Sequence, residues 1–222
     1  MPRLISCGQC NFRLASQRHE EIFFPKTDRL SCAGYAALMD GDLPAGFVYE
    51  PDVISAAEES ELLEGIRALD FAEVRMRGVA ARRRTAHYGW VYGYESWRIE
   101  PGPDIPDFLL TLRARAGTLA GVDGERLVEV LVTEYPARAG IGWHRDAPMF
   151  GTVVGVSLLS ACRFRFRRDA AARDVRTAIL APRSAYVLDR AARTQWQHSI
   201  PPAPAARYSV TFRTLLPVKT VR

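Results

Sequence analysis

The segment CRFRFRR, residues 162–168, alternates apolar and charged side chains with a period of two. Successive side chains of a β-strand point to opposite faces of its sheet. We therefore expect Phe164 and Phe166 to face a core, and the arginines between them to face the other side. The segment predicts a β-strand with one buried face.

Further short segments rich in β-branched and aromatic residues lie on both sides of this strand. They are LVEVLVTEY (127–135), TVVGVSLL (152–159), VRTAIL (175–180), SAYVL (184–188) and YSVTFRTL (208–215). Turn-forming stretches such as ARAG, DAP, APR and PPAPA separate them. The second half of the chain is therefore predicted to be a succession of strands.

Two helices are predicted before these strands. SAAEESELLEGIRAL (55–69) opens with a capping box and then places four apolar residues on one stripe: Leu62, Leu63, Ile66 and Leu69. In PGPDIPDFLLTLRARAGTLAG (101–121), Asp104 can cap a helix, Pro106 fits its first turn and Gly121 ends it. Helices followed by six or more strands predict a mainly β, α+β fold: a cupin-like jelly roll, or double-stranded β-helix, supported by N-terminal helices.

Composition sets the outer limits of the prediction. The 222 residues are 48% apolar and 25% charged, which is typical of a soluble globular protein. No apolar run is long enough to span a membrane, and the N-terminus lacks the apolar stretch of a secretory signal, so a cytoplasmic protein is expected. The formal net charge of +5 suits a polyanionic partner but is also common among proteins that bind no nucleic acid.

The N-terminal region is the least specified part of the sequence. Residues 1–42 show no sustained period, so we treat them as an extension and place the domain at 43–222. The four cysteines are too irregularly spaced for a disulfide framework: Cys7, Cys10, Cys32 and Cys162. Cys7 and Cys10 form a single CxxC that, with His19 and Cys32, leaves a zinc site open as an alternative.

The segment GWHRDAPMFG (142–151) carries a His and an Asp two positions apart. On an extended chain His144 and Asp146 share a face, which is compatible with half a metal site or with a surface ion pair. His198, in TQWQHSI, lies 54 residues further on. Two imidazoles and one carboxylate form the facial triad of non-haem Fe(II) oxygenases, which leaves three positions for a bidentate co-substrate and dioxygen.

The next segment supplies groups that such a co-substrate requires. Arg207 and Arg213 lie six residues apart in RYSVTFR, so on a strand both point to the same side. A guanidinium presents a planar fork that matches a carboxylate, and two of them can hold a dicarboxylate. Tyr135 can donate its hydroxyl to the same ligand. The alternative is that both arginines are solvated strand charges.

Taken in order, YPARAGIGWHRDAPMFG (135–151), QHSI (197–200) and RYSVTFRTL (207–215) closely resemble the AlkB-like Fe(II) and 2-oxoglutarate dioxygenases, from about Leu43 to Leu216. The resemblance implies Fe(II) as metal and 2-oxoglutarate as co-substrate. The implied metal ligands are His144, Asp146 and His198, and the implied co-substrate contacts are Arg207, Arg213, Tyr135 and Thr133. Thr133 stands where repair members often carry Asn, and its hydroxyl can still bind a carboxylate.

The resemblance also bears on the substrate. RRTAHYG (83–89) is similar to the RxTxxYG segment of a lid that covers the nucleotide in some relatives, which places Tyr88 near the base. Arg83, with its two flanking arginines, is expected to contact phosphates, and Trp90 belongs to an aromatic cluster suited to stacking. Core packing of the aromatics and a solvated arginine loop are the alternatives. Pro148 replaces an acidic residue that usually recognises the damaged base, which weakens the substrate assignment.

The implied function is oxidative demethylation of N-alkylated nucleobases in DNA or RNA, as in alkylation repair. Its partners are dioxygen and a nucleic acid that is single-stranded or has a flipped base; no membrane and no protein partner is predicted. One alternative is a related oxygenase that hydroxylates or demethylates a protein side chain or a small molecule. Another is a jelly-roll binding protein without redox chemistry, which would release no succinate.

Overall fold

The computed structural model describes residues 42–217, apart from 77–78, 94–97 and 172. The proposed N-terminal extension and the CxxC zinc alternative lie outside the described residues, so the domain limits at 43–222 stay a prediction. No helix in the described part of the chain is long and apolar enough to cross a membrane.

Two antiparallel sheets form the body of the protein. The strands of the larger sheet are β1 (Phe47–Glu50), β2 (Ala72–Met76), β3 (Val79–Gly93), β4 (Arg98–Pro101), β5 (Leu127–Tyr135), β7 (Phe150–Leu158), β10 (Ala185–Leu188) and β12 (Arg207–Leu215). Its order is β1-β10-β7-β12-β5-β3-β2, and β4 pairs with β3.

The smaller sheet contains β6 (Ile141–His144), β8 (Cys162–Arg167), β9 (Arg176–Leu180) and β11 (Gln197–Ile200), in the order β6-β11-β8-β9. The alternation in CRFRFRR determines its two faces. Phe164 and Phe166 are buried between the sheets, and the arginines of β8 lie on the outer face, as predicted. Both sheets contribute to one apolar cluster, which includes Tyr135, Tyr186 and Ile200. The predicted mainly β jelly roll is confirmed.

Helices cover the other face of the larger sheet. Helix α1 (Ala56–Arg67) begins at the predicted capping box, in which Ser55 Oγ accepts from the Glu58 amide at 3.2 Å and Glu58 Oε2 accepts from the Ser55 amide at 2.7 Å. Helix α2 (Leu110–Ala120) contacts α1 through Arg115, whose Nη2 donates to Glu58 Oε1 at 2.8 Å. Their apolar side chains pack with valines of β5, β7 and β12 in a second buried cluster. A short helix, α3 (Arg190–Thr194), joins β10 to β11.

Two expectations about local structure were wrong. Helix α2 does not start at Asp104: a 3₁₀ turn, Asp107–Leu109, precedes it, and Pro106 is extended. The residue before a proline is held out of the helical region, so the helix begins only after Pro106. Gly121 does end the helix, at φ 67°. Strands are also not confined to the second half of the chain, since β1 to β4 lie before α2.

Candidate metal and co-substrate site

Strand pairing in the smaller sheet brings the two predicted histidine ligands together. His198 on β11 is the direct partner of His144 on β6. Their ring centroids lie 4.2 Å apart, with the rings inclined at 63°. Asp146 lies two residues beyond His144, and its Oδ2 is 3.6 Å from His198 Nε2. Residues 54 positions apart in the sequence therefore share one buried site.

The environment holds these groups in the protonation states that bind a cation. Burial lowers the pKa of His144, and burial together with His144 lowers the pKa of His198 to about 3, so both rings are neutral near pH 7. Burial by itself would raise the pKa of Asp146, but the Arg213 guanidinium holds it below its usual range. His144 Nδ1 lies 2.9 Å from the Gly142 carbonyl, to which it donates in the tautomer that leaves Nε2 with a free lone pair.

The donor set fits a divalent metal, with one adjustment. Asp146 Oδ2 is buried and has no hydrogen-bond partner, so this oxygen is available to coordinate a cation. In the described residues, however, no three His, Cys, Asp or Glu side chains already surround one metal-sized point. A bound ion therefore requires the side chains to rotate. Two imidazole nitrogens and a carboxylate oxygen suit Fe(II).

The two arginines of β12 differ in what they bind. Arg213 donates to Asp146 Oδ1 from Nη2 at 2.7 Å and from Nε at 2.9 Å. Its Nη1 also reaches both oxygens of Glu129, at 2.8 and 2.6 Å. Arg213 is thus already engaged with two carboxylates. Its predicted contact with the co-substrate stays a prediction.

Arg207 retains unused donors. Its side chain is 1% exposed, its Nη2 donates to Ser157 Oγ at 3.0 Å, and its guanidinium lies over the Tyr135 ring at 4.8 Å. Its Nε and Nη1 are buried with no hydrogen-bond partner. Because an uncompensated buried cation is unfavourable, these donors indicate an anionic ligand. Thr133, buried two residues before Tyr135 on β5, shares the same sheet face.

Several residues of the site were not singled out from the sequence. Glu129 and Ser157 are buried polar residues inside strands made mostly of apolar residues, and a polar residue within such a run is a signal that could have identified them. Tyr186 is buried, and burial raises the pKa of its hydroxyl. Arg193 donates to the carbonyls of Ala147 at 2.6 Å, Phe150 at 2.7 Å and Gly151 at 3.0 Å, which fixes the turn after Asp146. Only the tertiary structure reveals that last role.

The predicted substrate residues on β3 are separated by the strand's alternation. Arg83 lies close enough to the cluster to lower the pKa of His144. Tyr88 lies on the opposite face of the sheet, where it is the strand partner of Val130 and packs in the helix-covered cluster. Trp90 is 40% exposed and borders a cavity with Leu110 and Arg113 of α2, which is again the helix side. The placement of Tyr88 and Trp90 beside the substrate is therefore corrected, because side chains one residue apart face opposite sides.

Comparison with known proteins identifies the class to which this jelly roll and its donor set belong. The family model described as the 2OG-Fe(II) oxygenase superfamily matches residues 46–213. The chain therefore belongs to that superfamily, whose enzymes use Fe(II) and 2-oxoglutarate. The Arabidopsis thaliana protein named "Alkylated DNA repair protein ALKBH8 homolog" is 24% identical over 221 residues, which cover 88% of this chain. The chain spans 62% of the length of that relative.

Solved structures support the fold. The structure of OsALKBH1 superposes with a TM-score of 0.62 at 16% identity, covering 79% of this chain and 99% of its own. A Pseudomonas putida prolyl-4-hydroxylase superposes with a TM-score of 0.53 at 14% identity, covering 78% of this chain and 94% of its own. At these identities the likeness establishes the jelly roll and leaves the substrate open.

Proposed function

We propose that the protein is a cytoplasmic dioxygenase that demethylates N-alkylated nucleobases in DNA or RNA. The observation that carries the proposal is a two-part buried site: a His–Asp–His donor set with an unpartnered carboxylate oxygen, and a buried arginine with two unused donors. A protein that only binds a ligand has no need for a buried His–Asp–His set or for a buried arginine with unused donors. The first group matches a metal ion, and the second matches an acidic co-substrate. The name of the Arabidopsis relative supports nucleic acid as the substrate class.

The side chains divide the reaction between them. His144, Asp146 and His198 hold the metal through two neutral nitrogens and one carboxylate oxygen. Arg207 binds the remote carboxylate of 2-oxoglutarate, and the Tyr135 ring below it fixes the plane of the guanidinium. When bound, Fe(II) and 2-oxoglutarate supply the oxidant that inserts an oxygen atom from dioxygen into a C–H bond. A methyl group hydroxylated next to nitrogen then leaves as formaldehyde and restores the amine.

Access of the substrate follows from the same geometry. A base within a duplex cannot reach a buried centre, so the nucleotide must be flipped or single-stranded. On β3, His87 shares the site face with Glu129, from which its Nδ1 is 3.7 Å away, and Arg83 approaches His144. We expect these two side chains, in place of Tyr88 and Trp90, to face the bound nucleotide.

The test is incubation with single-stranded oligonucleotides carrying N-methylated bases, Fe(II) and 2-oxoglutarate. Mass spectrometry follows loss of the methyl group, and a separate assay follows formaldehyde. Asp146→Ala serves as the inactive control. Stoichiometric formaldehyde and demethylated base are expected; intact oligonucleotide beside normal succinate release contradicts the assignment of the substrate.

A second candidate is favoured by position 148. Pro148 is exposed and offers no acceptor where repair members usually carry an acidic residue. A related oxygenase acting on a protein side chain or a small molecule needs no such acceptor. Proline-containing peptides assayed for added oxygen under the same conditions distinguish the two candidates.

A further inference from the structure

The outer face of the smaller sheet carries a row of arginines. Arg163, Arg165 and Arg167 alternate along β8 with the buried phenylalanines and span about 13 Å at the usual strand rise. Arg165 and Arg167 lie over the ring of Trp143 on β6, at 4.9 and 4.5 Å from its centroid. We call this surface, made of the three arginines and Trp143, the arginine–tryptophan face.

The guanidiniums of Arg165 and Arg167 each make one hydrogen bond to a neighbouring side chain, through Nε. Arg165 Nε donates to Ser199 Oγ at 3.2 Å, and Arg167 Nε donates to Gln197 Oε1 at 2.8 Å. In the described residues the terminal nitrogens of these two arginines donate no hydrogen bond. They are therefore oriented donors available to a ligand.

The face also lacks compensating negative charge. No ion pair among the described residues includes any of its three arginines, whereas arginines elsewhere find carboxylates, as Arg84 does with Glu134. Partial burial, and then the like charges of its neighbours, lower the pKa of Arg165. Three like charges kept together on one face are mutually repulsive, and an external polyanion relieves that repulsion.

The register of the strands connects this face to the metal end of the sheet. Arg167 is the partner of Gln197, the residue before His198, and Arg165 is the partner of Ser199. Arg165 and Arg167 therefore flank the level of His198 along the sheet, on its outer face, whereas His198 faces the interior with Phe164 and Phe166. We propose that the arginine–tryptophan face binds the phosphates of the nucleic acid strand that flanks the target nucleotide. The inference rests on the proposed function.

The test compares two double variants that remove the same charge. Arg165→Gln with Arg167→Gln alters the face, and Arg75→Gln with Arg126→Gln alters two exposed arginines elsewhere. Binding of a fluorescent single-stranded oligonucleotide is measured by anisotropy across a salt series. Each lost phosphate contact reduces the slope of log K against log salt by about 0.7, so the first variant should lose about 1.4 and the control almost nothing.

The outcomes separate this inference from the function on which it rests. Equal slopes for both variants, or no binding by the wild-type protein at low salt, overturn the inference. If the first variant loses as much affinity for polyglutamate as for the oligonucleotide, the face binds an acidic protein instead. That result would also overturn the inference. A methylated mononucleotide, too short to reach the face, should be turned over equally by wild type and the first variant. If the wild type demethylates nothing while the first variant still changes the salt slope of oligonucleotide binding, the proposed function is wrong but the face still binds nucleic acid.

A second, independent observation concerns Glu129. This carboxylate is 1% exposed and holds Arg213 by two hydrogen bonds, while Arg213 in turn holds Asp146. The three side chains carry one positive and two negative charges, so the buried group has a net charge of −1 and attracts a cation. Without Glu129, the guanidinium would compensate Asp146 fully and compete with the metal for it. We infer that Glu129 is a positioning residue for the metal ligand Asp146 and acts through Arg213.

The strand itself provides a matched control for this inference. Glu134, also on β5, pairs with Arg84 on the opposite face of the sheet. Glu129→Gln should weaken Mn²⁺ binding about 10- to 100-fold, because outer partners of metal ligands contribute by that factor, and Glu134→Gln should leave it unchanged. Free Mn²⁺ measured by electron paramagnetic resonance provides the readout without any turnover.

A double-mutant cycle covers the case in which Glu129→Gln folds poorly. In Arg213→Met, Glu129→Leu should change Mn²⁺ affinity by less than two-fold, because a residue that acts through Arg213 has no effect once Arg213 is gone. Additive losses in the cycle, or folded Glu129→Gln with wild-type Mn²⁺ affinity, overturn the inference.

Discussion

Replacement of Arg207 by methionine should separate the stability of the protein from its co-substrate affinity. Two buried donors of Arg207 have no partner, so the ligand-free fold carries an uncompensated cation. Methionine fills a similar volume without the charge, and such exchanges are often neutral or stabilising by about 1–4 kcal/mol. The lost bond to Ser157 offsets about 1 kcal/mol of this gain. The free energy of unfolding of ligand-free Arg207→Met should therefore equal or exceed that of the wild type.

Affinity for 2-oxoglutarate should change in the opposite direction. Each charge-assisted hydrogen bond contributes about 1.5–3 kcal/mol, so losing two weakens binding by about 3–6 kcal/mol, or roughly 10²- to 10⁴-fold. At a concentration 100 times the wild-type Kd, 2-oxoglutarate stabilises the wild type by about 2.7 kcal/mol. The same concentration should stabilise the variant by at most about 0.4 kcal/mol.

Denaturant unfolding with and without 2-oxoglutarate, in the presence of Mn²⁺, measures both quantities in one experiment. Arg75→Met, which changes a side chain that is 69% exposed, is the control and should alter neither. A ligand-free Arg207→Met that loses more than about 2 kcal/mol, yet keeps its stabilisation by 2-oxoglutarate, would refute the reasoning, because Arg207 would then be structural.

Three further predictions concern other parts of the molecule. His144→Ala, Asp146→Ala and His198→Ala should each abolish metal binding and 2-oxoglutarate turnover while circular dichroism stays unchanged; wild-type turnover in any of them removes that residue from the site. Gly155→Ala should destabilise the fold by about 1–3 kcal/mol, because its methyl group would overlap the Tyr186 ring, whereas Gly142→Ala meets open space and should not; equal melting temperatures would contradict this. Hydrogen bonds from Arg115, then from Ser55, lower the pKa of Glu58 to about 2 from 4.5, so its contribution is present above pH 4.5 and is lost as the pH falls toward 2. The stability difference between wild type and Glu58→Gln should accordingly shrink between pH 7 and pH 3, and a constant difference would exclude this assignment.

The sequence predicted those features that follow from local periodicity and ordered motifs. Alternation assigned both faces of β8, and the capping box at Ser55 and Glu58 located α1. The spacing of His144, Asp146 and His198 predicted a cluster that the strand pairing then brings together. Each of these depends on residues close in sequence or on a motif that retains its order.

Features that depend on pairing between distant strands were not predictable. The difference between Arg207 and Arg213 arises from their neighbours on β5, where Tyr135 is opposite the first and Glu129 opposite the second. The side on which Tyr88 lies depends on the register between β3 and β5, since a shift of one residue would have placed it at the site. Periodicity shows that a strand has two faces but does not show which face meets the metal.

Strand β12 has consequences for how the sequence of this protein can change over generations. It pairs with β5 on one side and β7 on the other, almost along its full length. A single residue inserted between Arg207 and Arg213 would leave the strand able to pair but would move one of the two guanidiniums to the opposite face of the sheet, with Tyr208 or Phe212 in its place. The same insertion at residues 204–205, which are exposed just before the strand, leaves the pairing of β12 with β5 and β7 unchanged. Length variation should therefore accumulate before Arg207 and be absent from the seven residues Arg207–Arg213, because the distance between the two guanidiniums depends on their number.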